Sequence, residues 1–429
     1  MIALRTTFGL MICLLALSVP LCTVDASEDL NHLIRQALTE NRDLTTWQAR
    51  VAAAAEMVPQ AGVWPDPMVS FSIMNLPVDT FDPTEIPMTG NWVTVTQSIP
   101  LTDRFQLQEE IARARLAKIQ TDKTWHELEI IRRVTSVWYN WRYQLSAEAT
   151  LDSTRATIDD LLRVTYSRYE TGKGRQRDIL RLEAELSRLE VKRVALQQQA
   201  LAAGRRLAVL IGADPDELPD PPSVSTPLFP ALDLKQIETQ LREQNPQLQK
   251  AAIEQEVNEL KTGLARRGWW PDLKVSLGYG FRGDAPDGMN RSDLLTFMVG
   301  TTIPLHAGKK RSAIEESRLR QQQTSAAQLS LHQELRLQLA LLVDRDERLA
   351  EQINLYREGV ELQLAMAGKA ALLSWTTTES GIEQLLADRR SLLQARLERL
   401  ALERDRLLLR ASLAALIAET GMETEGKIP

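Results

Sequence analysis

The sequence predicts a mainly α-helical chain with a transmembrane β part, duplicated in the order helix, β-hairpin, long helix, helix. Three observations carry this reading. Two regions alternate apolar and polar residues with a period of two, the signature of strands with one apolar face. Long helical sequence rich in Leu, Ala, Arg, Glu and Gln flanks each region. The whole arrangement occurs twice, 206 positions apart.

The alternation is clearest between Trp269 and Lys310. Leu273, Val275, Leu277, Tyr279 and Phe281 fall on one side of the first run, with Lys274, Ser276, Gly278 and Gly280 on the other. Leu295, Phe297, Val299 and Ile303 alternate with Thr296, Met298, Gly300 and Thr302 in the second run, after a polar loop. The earlier copy places Val69, Phe71 and Ile73 against Ser70 and Ser72, then Val93 and Val95 against Thr94 and Thr96. Trp64-Pro65-Asp66 matches Trp270-Pro271-Asp272 at the entry, and Ile99-Pro100-Leu101 matches Ile303-Pro304-Leu305 at the exit. The runs have the length of roughly 9–11 residues that a tilted strand needs to cross a bilayer. Hairpins are therefore expected at 68–100 and 272–304, with Phe71, Val95, Leu277 and Phe297 toward lipid.

Residues 1–26 read as a secretory signal: Arg5, an apolar run, then Val24-Asp25-Ala26. Both cysteines of the chain, Cys13 and Cys22, fall inside it, which leaves no disulfide framework beyond. A second reading makes Cys22 a lipidated first residue, although Val-Pro-Leu before it places no small residue beside the cysteine. The formal net charge of −6 and the lack of a basic stripe argue against nucleic acid as a partner.

The first repeat spans 27–212. Its helices are expected at 28–62, with a break at Asn41, then at 102–170 and 176–211 around the turn Thr171-Gly172-Lys173-Gly174. The Pro- and Asp-rich stretch 213–232 reads as a linker. The second repeat, 233–420, has helices at 234–268, broken at Asn245-Pro246, then 308–367 and 372–420 around a turn at Gly368. Leu335, Leu339, Leu342, Asp346, Leu349, Ile353, Tyr356 and Val360 form a heptad seam with one charged interruption. The tail 421–429 reads as loose.

Catalytic chemistry is not legible. The four histidines make no HExxH-type pair, and Gly172-Lys173-Gly174-Arg175 follows a helix and reads as its cap, not as a phosphate loop. An enzyme and a cofactor are disfavoured. Two classes remain: a membrane channel, and a secreted periplasmic helical scaffold or adaptor with a small soluble sheet. Strand length, the polar opposite faces, and Trp64, Trp92, Trp269 and Trp270 near strand ends favour the channel. Four strands cannot close a barrel, since the smallest known need about eight, so the chain must oligomerise.

The duplicated order, the paired Trp-Pro-Asp entries and Ile-Pro-Leu exits, and the glycine turns after Tyr169 and Met366 together resemble the TolC-like outer-membrane efflux family, over residues 28–420. The segment Met68–Pro100, with Asn75-Leu-Pro and Pro87-Met-Thr, is similar to members of its heavy-metal branch. The resemblance implies a homotrimer with a 12-stranded β-barrel in the outer membrane of a Gram-negative cell, continued by a 12-helix α-barrel in the periplasm. It implies an exit duct that conducts passively, partnered by a periplasmic adaptor protein and an inner-membrane efflux pump. It also implies adaptor docking at tip turns Thr171, Gly172, Lys173 and Ala367, Gly368, Lys369, and a periplasmic gate near Arg175, Arg177 and Asp178.

Overall fold

The structure, a computed structural model, describes residues 26–223, 229, 232–284, 288–303, 305–377 and 382–419. All but the last residue of the segment read as a signal, most of the tail end of the linker, Pro304 and the tail 421–429 lie outside the described residues.

Two short helices, α1 (Ala26–Glu40) and α2 (Arg42–Ala61), lead into strands β1 (Met68–Met74) and β2 (Gly90–Pro100). Helix α3 (Arg104–Glu170) then descends for 67 residues and α4 (Gln176–Leu210) returns. The plan repeats as α5 (Leu234–Gln244), α6 (Pro246–Arg267), β3 (Asp272–Phe281) and β4 (Leu294–Thr301), followed by a second descending rod and a return helix. The break that each repeat shows near its start has one cause. Asn41 and Asn245 each cap the following helix, accepting from the amides of Asp43 and of Gln247 and Leu248. Each also donates its side-chain amide to the last turn of the repeat's own return helix, Asn41 to Leu210 O at 2.8 Å and Asn245 to Leu416 O at 2.7 Å. Both are buried. These two bonds fasten the head of each repeat to its foot.

The second descending rod departs from the sequence expectation. It runs as α7 (Ala307–Asn354), a π-helical turn (Leu355–Val360) and α8 (Glu361–Thr377), of 48, 6 and 17 residues. It does not end at Ala367, and Gly368 lies inside α8. A helix-interior glycine costs roughly 1 kcal/mol. Continuing the helix buries Trp375, 5 % exposed, in a cluster with Leu151, Ile158, Leu182 and Leu385, and a fully buried side chain of that class is worth more, about 1.5–3 kcal/mol. The return helix is α9 (Glu383–Leu416).

The four strands form one antiparallel sheet in the order β1-β2-β3-β4. Register brings Val69, Val95, Leu277 and Phe297 into one row, and Phe71, Val93, Tyr279 and Leu295 into the next row on the same face. Both rows are exposed. The opposite face carries Ser70, Thr94, Gly278 and Thr296, and Ser276 bonds Thr96 across strands at 2.8 Å. Trp92 belongs to this polar face. Its ring lies where a Cβ on Gly280 would be, 2.6 Å from the ring, so Gly280 is required by close approach.

Below the sheet, α3 packs on α4 and α9, and α7 packs on α6 and α9. The charged interruption in the α7 seam is Asp346, which is buried and held by two arginines of α9. Arg406 donates to Oδ1 and Oδ2 at 3.0 Å each, and Arg410 at 2.9 Å each. The Phe229 ring covers both guanidinium groups, at 4.1 and 5.3 Å. Burial alone raises the Asp346 pKa, but the bonds from Arg410 and Arg406 outweigh it and lower it to about 2. With a folded value below the unfolded value of about 3.9, the stability this group adds is fully present above that pH. It is lost as pH falls through about 4 toward 2. Asp346→Ala strands two cations and is expected to cost roughly 3–5 kcal/mol at pH 7. In thermal unfolding the deficit of the variant relative to the wild type should shrink between pH 4 and pH 2.

Candidate functional site

The long helices converge at the end of the molecule opposite the sheet, and that tip is the candidate site. Its first turn, Thr171–Arg175, is a complete helix stop. Gly172 adopts φ +75°, its amide bonds Tyr169 O at 2.9 Å, and the Lys173 amide reaches back to Arg168 O at 2.8 Å. This double bond pattern needs a left-handed residue just past the helix, which glycine supplies without strain. Thr171, Gly172, Lys173, Arg175 and Arg177 are all exposed on the turn and the start of α4.

Asp178 is buried within the chain. It sits in the first turn of α4, is 8 % exposed, and faces the helix bundle. Arg177 Nε lies 3.9 Å from its Oδ1, an atom that accepts no hydrogen bond. A carboxylate in the first helical turn faces the positive end of the helix dipole, which favours its charge there. The second group of tip residues falls elsewhere. Ala367, Gly368 and Lys369 are helical, and the described part of α8 continues to Thr377.

The structure instead brings together residues of the two repeats that sequence reasoning did not single out. Arg168 of α3 donates to the carbonyl oxygens of Trp375 at 3.0 Å and Thr376 at 3.3 Å, the last turn of α8. Its guanidinium also lies over the Trp375 ring, 4.7 Å from the centroid. Arg181 of α4 pairs with Glu383 of α9. Farther from the tip, Arg390 of α9 donates to the buried Glu185 of α4 at 2.5 Å, and Arg188 approaches the same oxygen at 3.2 Å. Burial pushes the Glu185 carboxyl up, and the two arginines more than offset this and hold it below its ordinary value. Three cationic side chains thus tie the first helical pair to the second. A positive residue at a helix C-terminus is a recognisable signal only once the end of α8 is known, and the glycine at 368 concealed it.

Among the described residues no cluster of His, Cys, Asp or Glu could hold a metal ion, and no helix is long and apolar enough to cross a membrane. The two glycines give a direct check on the tip assignment. Gly172→Ala forces an alanine to φ +75° and is expected to destabilise by about 1 kcal/mol. Gly368→Ala adds a Cβ that meets nothing within 4 Å in a helix interior, and is expected to stabilise by about 0.5–1 kcal/mol. Chemical denaturation of both variants measures the opposite signs.

Comparison with known proteins agrees with this architecture. The profile of the outer membrane efflux protein family matches residues 33–213 and 239–419, one segment per repeat. A sequence comparison with curated proteins gives no match. Among solved structures the chain is similar to CusC, with 18 % identity, a TM-score of 0.76, and 91 % of this chain and 92 % of that chain covered. It is similar to the outer membrane protein VceC of Vibrio cholerae, with 17 % identity, a TM-score of 0.75, and coverage of 92 % and 98 %. It is also similar to the MtrE outer membrane channel of Neisseria gonorrhoeae, solved in its open state, with 19 % identity, a TM-score of 0.72, and coverage of 92 % and 89 %. With both halves matched and the β-barrel-plus-α-barrel fold shared, the chain belongs to the outer membrane efflux protein family, its strands in the outer membrane and its helices in the periplasm.

Proposed function

We propose that this protein is the exit duct of a tripartite efflux pump, working as a homotrimer with a periplasmic adaptor and an inner-membrane pump. The observation that carries the reading is the sheet: among the described residues the outer strands β1 and β4 each pair on one side only, leaving two open edges. Three copies joined edge to edge make a barrel of twelve strands, above the minimum of about eight. The helices support the same closure. Leu180, Val191, Val194 and Leu201 form an exposed apolar seam on α4. Leu362, Met366 and Leu373 form another on α8, 4 and 7 residues apart. One seam laid on its counterpart in the next copy closes the helical ring.

The duct conducts passively. The turn Thr171–Lys173 presents the adaptor with a fixed, exposed docking feature. Arg168 on Trp375 and Thr376, with Arg181 on Glu383, holds the two helical pairs together and keeps the periplasmic end narrow. A heavy-metal cargo rests on the edge strands: Met68 and Met298 lie in one row of the polar face, with Met74 on the same face of β1. All three are exposed, and thioethers suit soft cations.

Native mass measurement in detergent should give three copies; a stable, membrane-inserted monomer would overturn the closed duct. In planar bilayers, Arg168→Ala should raise single-channel conductance while trimers persist. In a host lacking its own exit duct, co-expression with the cognate adaptor and pump should restore tolerance to silver or copper if soft cations are the cargo. Tolerance restored to drugs alone would reject that cargo.

A further inference from the structure

The two hairpins share one register. Shifting β1 by 206 positions and β2 by 204, the offsets of the Trp-Pro-Asp and Ile-Pro-Leu marks, turns the pair Met68–Thr96 into Lys274–Gly300. That is the pair the second hairpin makes. The chain also shows how one repeat joins the next: β2 lies beside β3, with Thr94 opposite Gly278 and Trp92 opposite Gly280. The same shifts carry this junction onto the two open edges, β4 of one copy beside β1 of the next. They set Met298 opposite Ser72, Thr296 opposite Met74, and Val299 opposite Phe71 of the next copy. Polar-face residues then meet polar-face residues and apolar meet apolar, whereas a slip by one residue would set each against the other.

The side chains at the two junctions differ. Within the chain the Trp92 ring fills the space over Gly278 and Gly280. At the junction between copies Thr296 stands for Trp92, Met74 for Gly280 and Met298 for Thr94. The indole is gone, and two thioethers flank its place, diagonal to one another on the polar face. Diagonal neighbours across a strand pair lie about 7–8 Å apart, within reach of long side chains. Inside one chain the two cannot meet. Met74 and Met298 lie on opposite edge strands of the four-stranded sheet, about 14 Å or more apart at the usual strand spacing.

We propose that Met298 of one copy and Met74 of the next form a site for a soft monovalent cation, silver(I) or copper(I), on the inner wall of the barrel, one at each junction. The site rests on the homotrimer of the exit-duct reading and exists only where two copies meet. Two thioethers select soft ions over hard ones. The hydroxyls of Thr296 and Ser72 beside them add no charge. Lys274, opposite Gly300 and therefore diagonal to Met298, sets a cation nearby. Binding is accordingly weak, as a wall that must release its cargo requires.

Calorimetric titration of the assembled protein in detergent with silver(I) tests the site. Met74→Leu should lose one ion per junction, Met298→Leu the same ion, and the double variant no more than either. Met68→Leu should keep it, and Lys274→Gln should tighten it. Co-assembly of Met74→Leu chains with Met298→Leu chains should restore one site in every mixed trimer, because one junction then has both thioethers. The register is read separately. Ser70→Cys with Gly300→Cys, a directly opposite pair, should crosslink neighbouring copies on oxidation, while the diagonal pair Ser72→Cys with Gly300→Cys is too far apart to do so. Crosslinking of the first pair with silver binding indifferent to both methionines, additive losses in the double variant, or no restoration in mixed trimers would overturn the site and leave the duct standing. Crosslinking of the diagonal pair alone would overturn the register and the site with it. Absence of both crosslinks would also overturn the site, and native mass then shows whether the trimer falls with it.

Discussion

Hydrocarbon offers no hydrogen bonds, and this one constraint organises the molecule. Each backbone amide and carbonyl that reaches the bilayer core unpaired costs several kcal/mol. The chain builds four strands and leaves the edges of β1 and β4 open, so its sheet is incomplete as a membrane element. Two rows comply across all four strands, Val69, Val95, Leu277 and Phe297 and then Phe71, Val93, Tyr279 and Leu295, while the opposite face carries Ser70, Thr94, Gly278 and Thr296. The exposed leucine and valine seams on α4 and α8 carry the same incompleteness into the helices. An isolated chain of this kind leaves two strand edges open and apolar seams exposed, the surfaces that the proposed trimer covers.

Duplication makes the second repeat a control for the first. Where both need the same thing, the chemistry is the same, as with Asn41 and Asn245 capping a helix and grasping the foot of the repeat. Where they differ, the difference has a local meaning. The first rod is uninterrupted and ends on Gly172 at φ +75°. The second carries a buried Asp346, a π turn and a tip gripped by an arginine from the first. The asymmetry concentrates a buried charge clamp and a grip between the repeats in the second rod.

Much of this fold was legible in the sequence because its signals are periodic. The strands announce themselves by strict alternation, the Asn breaks by capping chemistry, and the repeat by its Trp-Pro-Asp and Ile-Pro-Leu marks. What escaped were features decided by packing. Gly368 looked like a helix end, but the tertiary burial of Trp375 overrode local propensity. The burial of Asp178 within the chain had no sequence signal either, since which way a first-turn side chain points depends on the bundle around it. The grip of Arg168 joins residues about two hundred positions apart and has no local signature. The π turn has none either, since its sequence Leu-Tyr-Arg-Glu-Gly-Val is compatible with ordinary helix.

The central claim is that the open edges of the sheet are closed by other copies, and amide hydrogen exchange on the membrane-assembled protein tests it most directly. If the barrel is closed, amides of β1 and β4 are protected to the same degree as those of the central strands β2 and β3, because every strand has two neighbours. If β2 and β3 are protected while the outward-pointing amides of β1 and β4 exchange freely, the edges are open and the account is wrong.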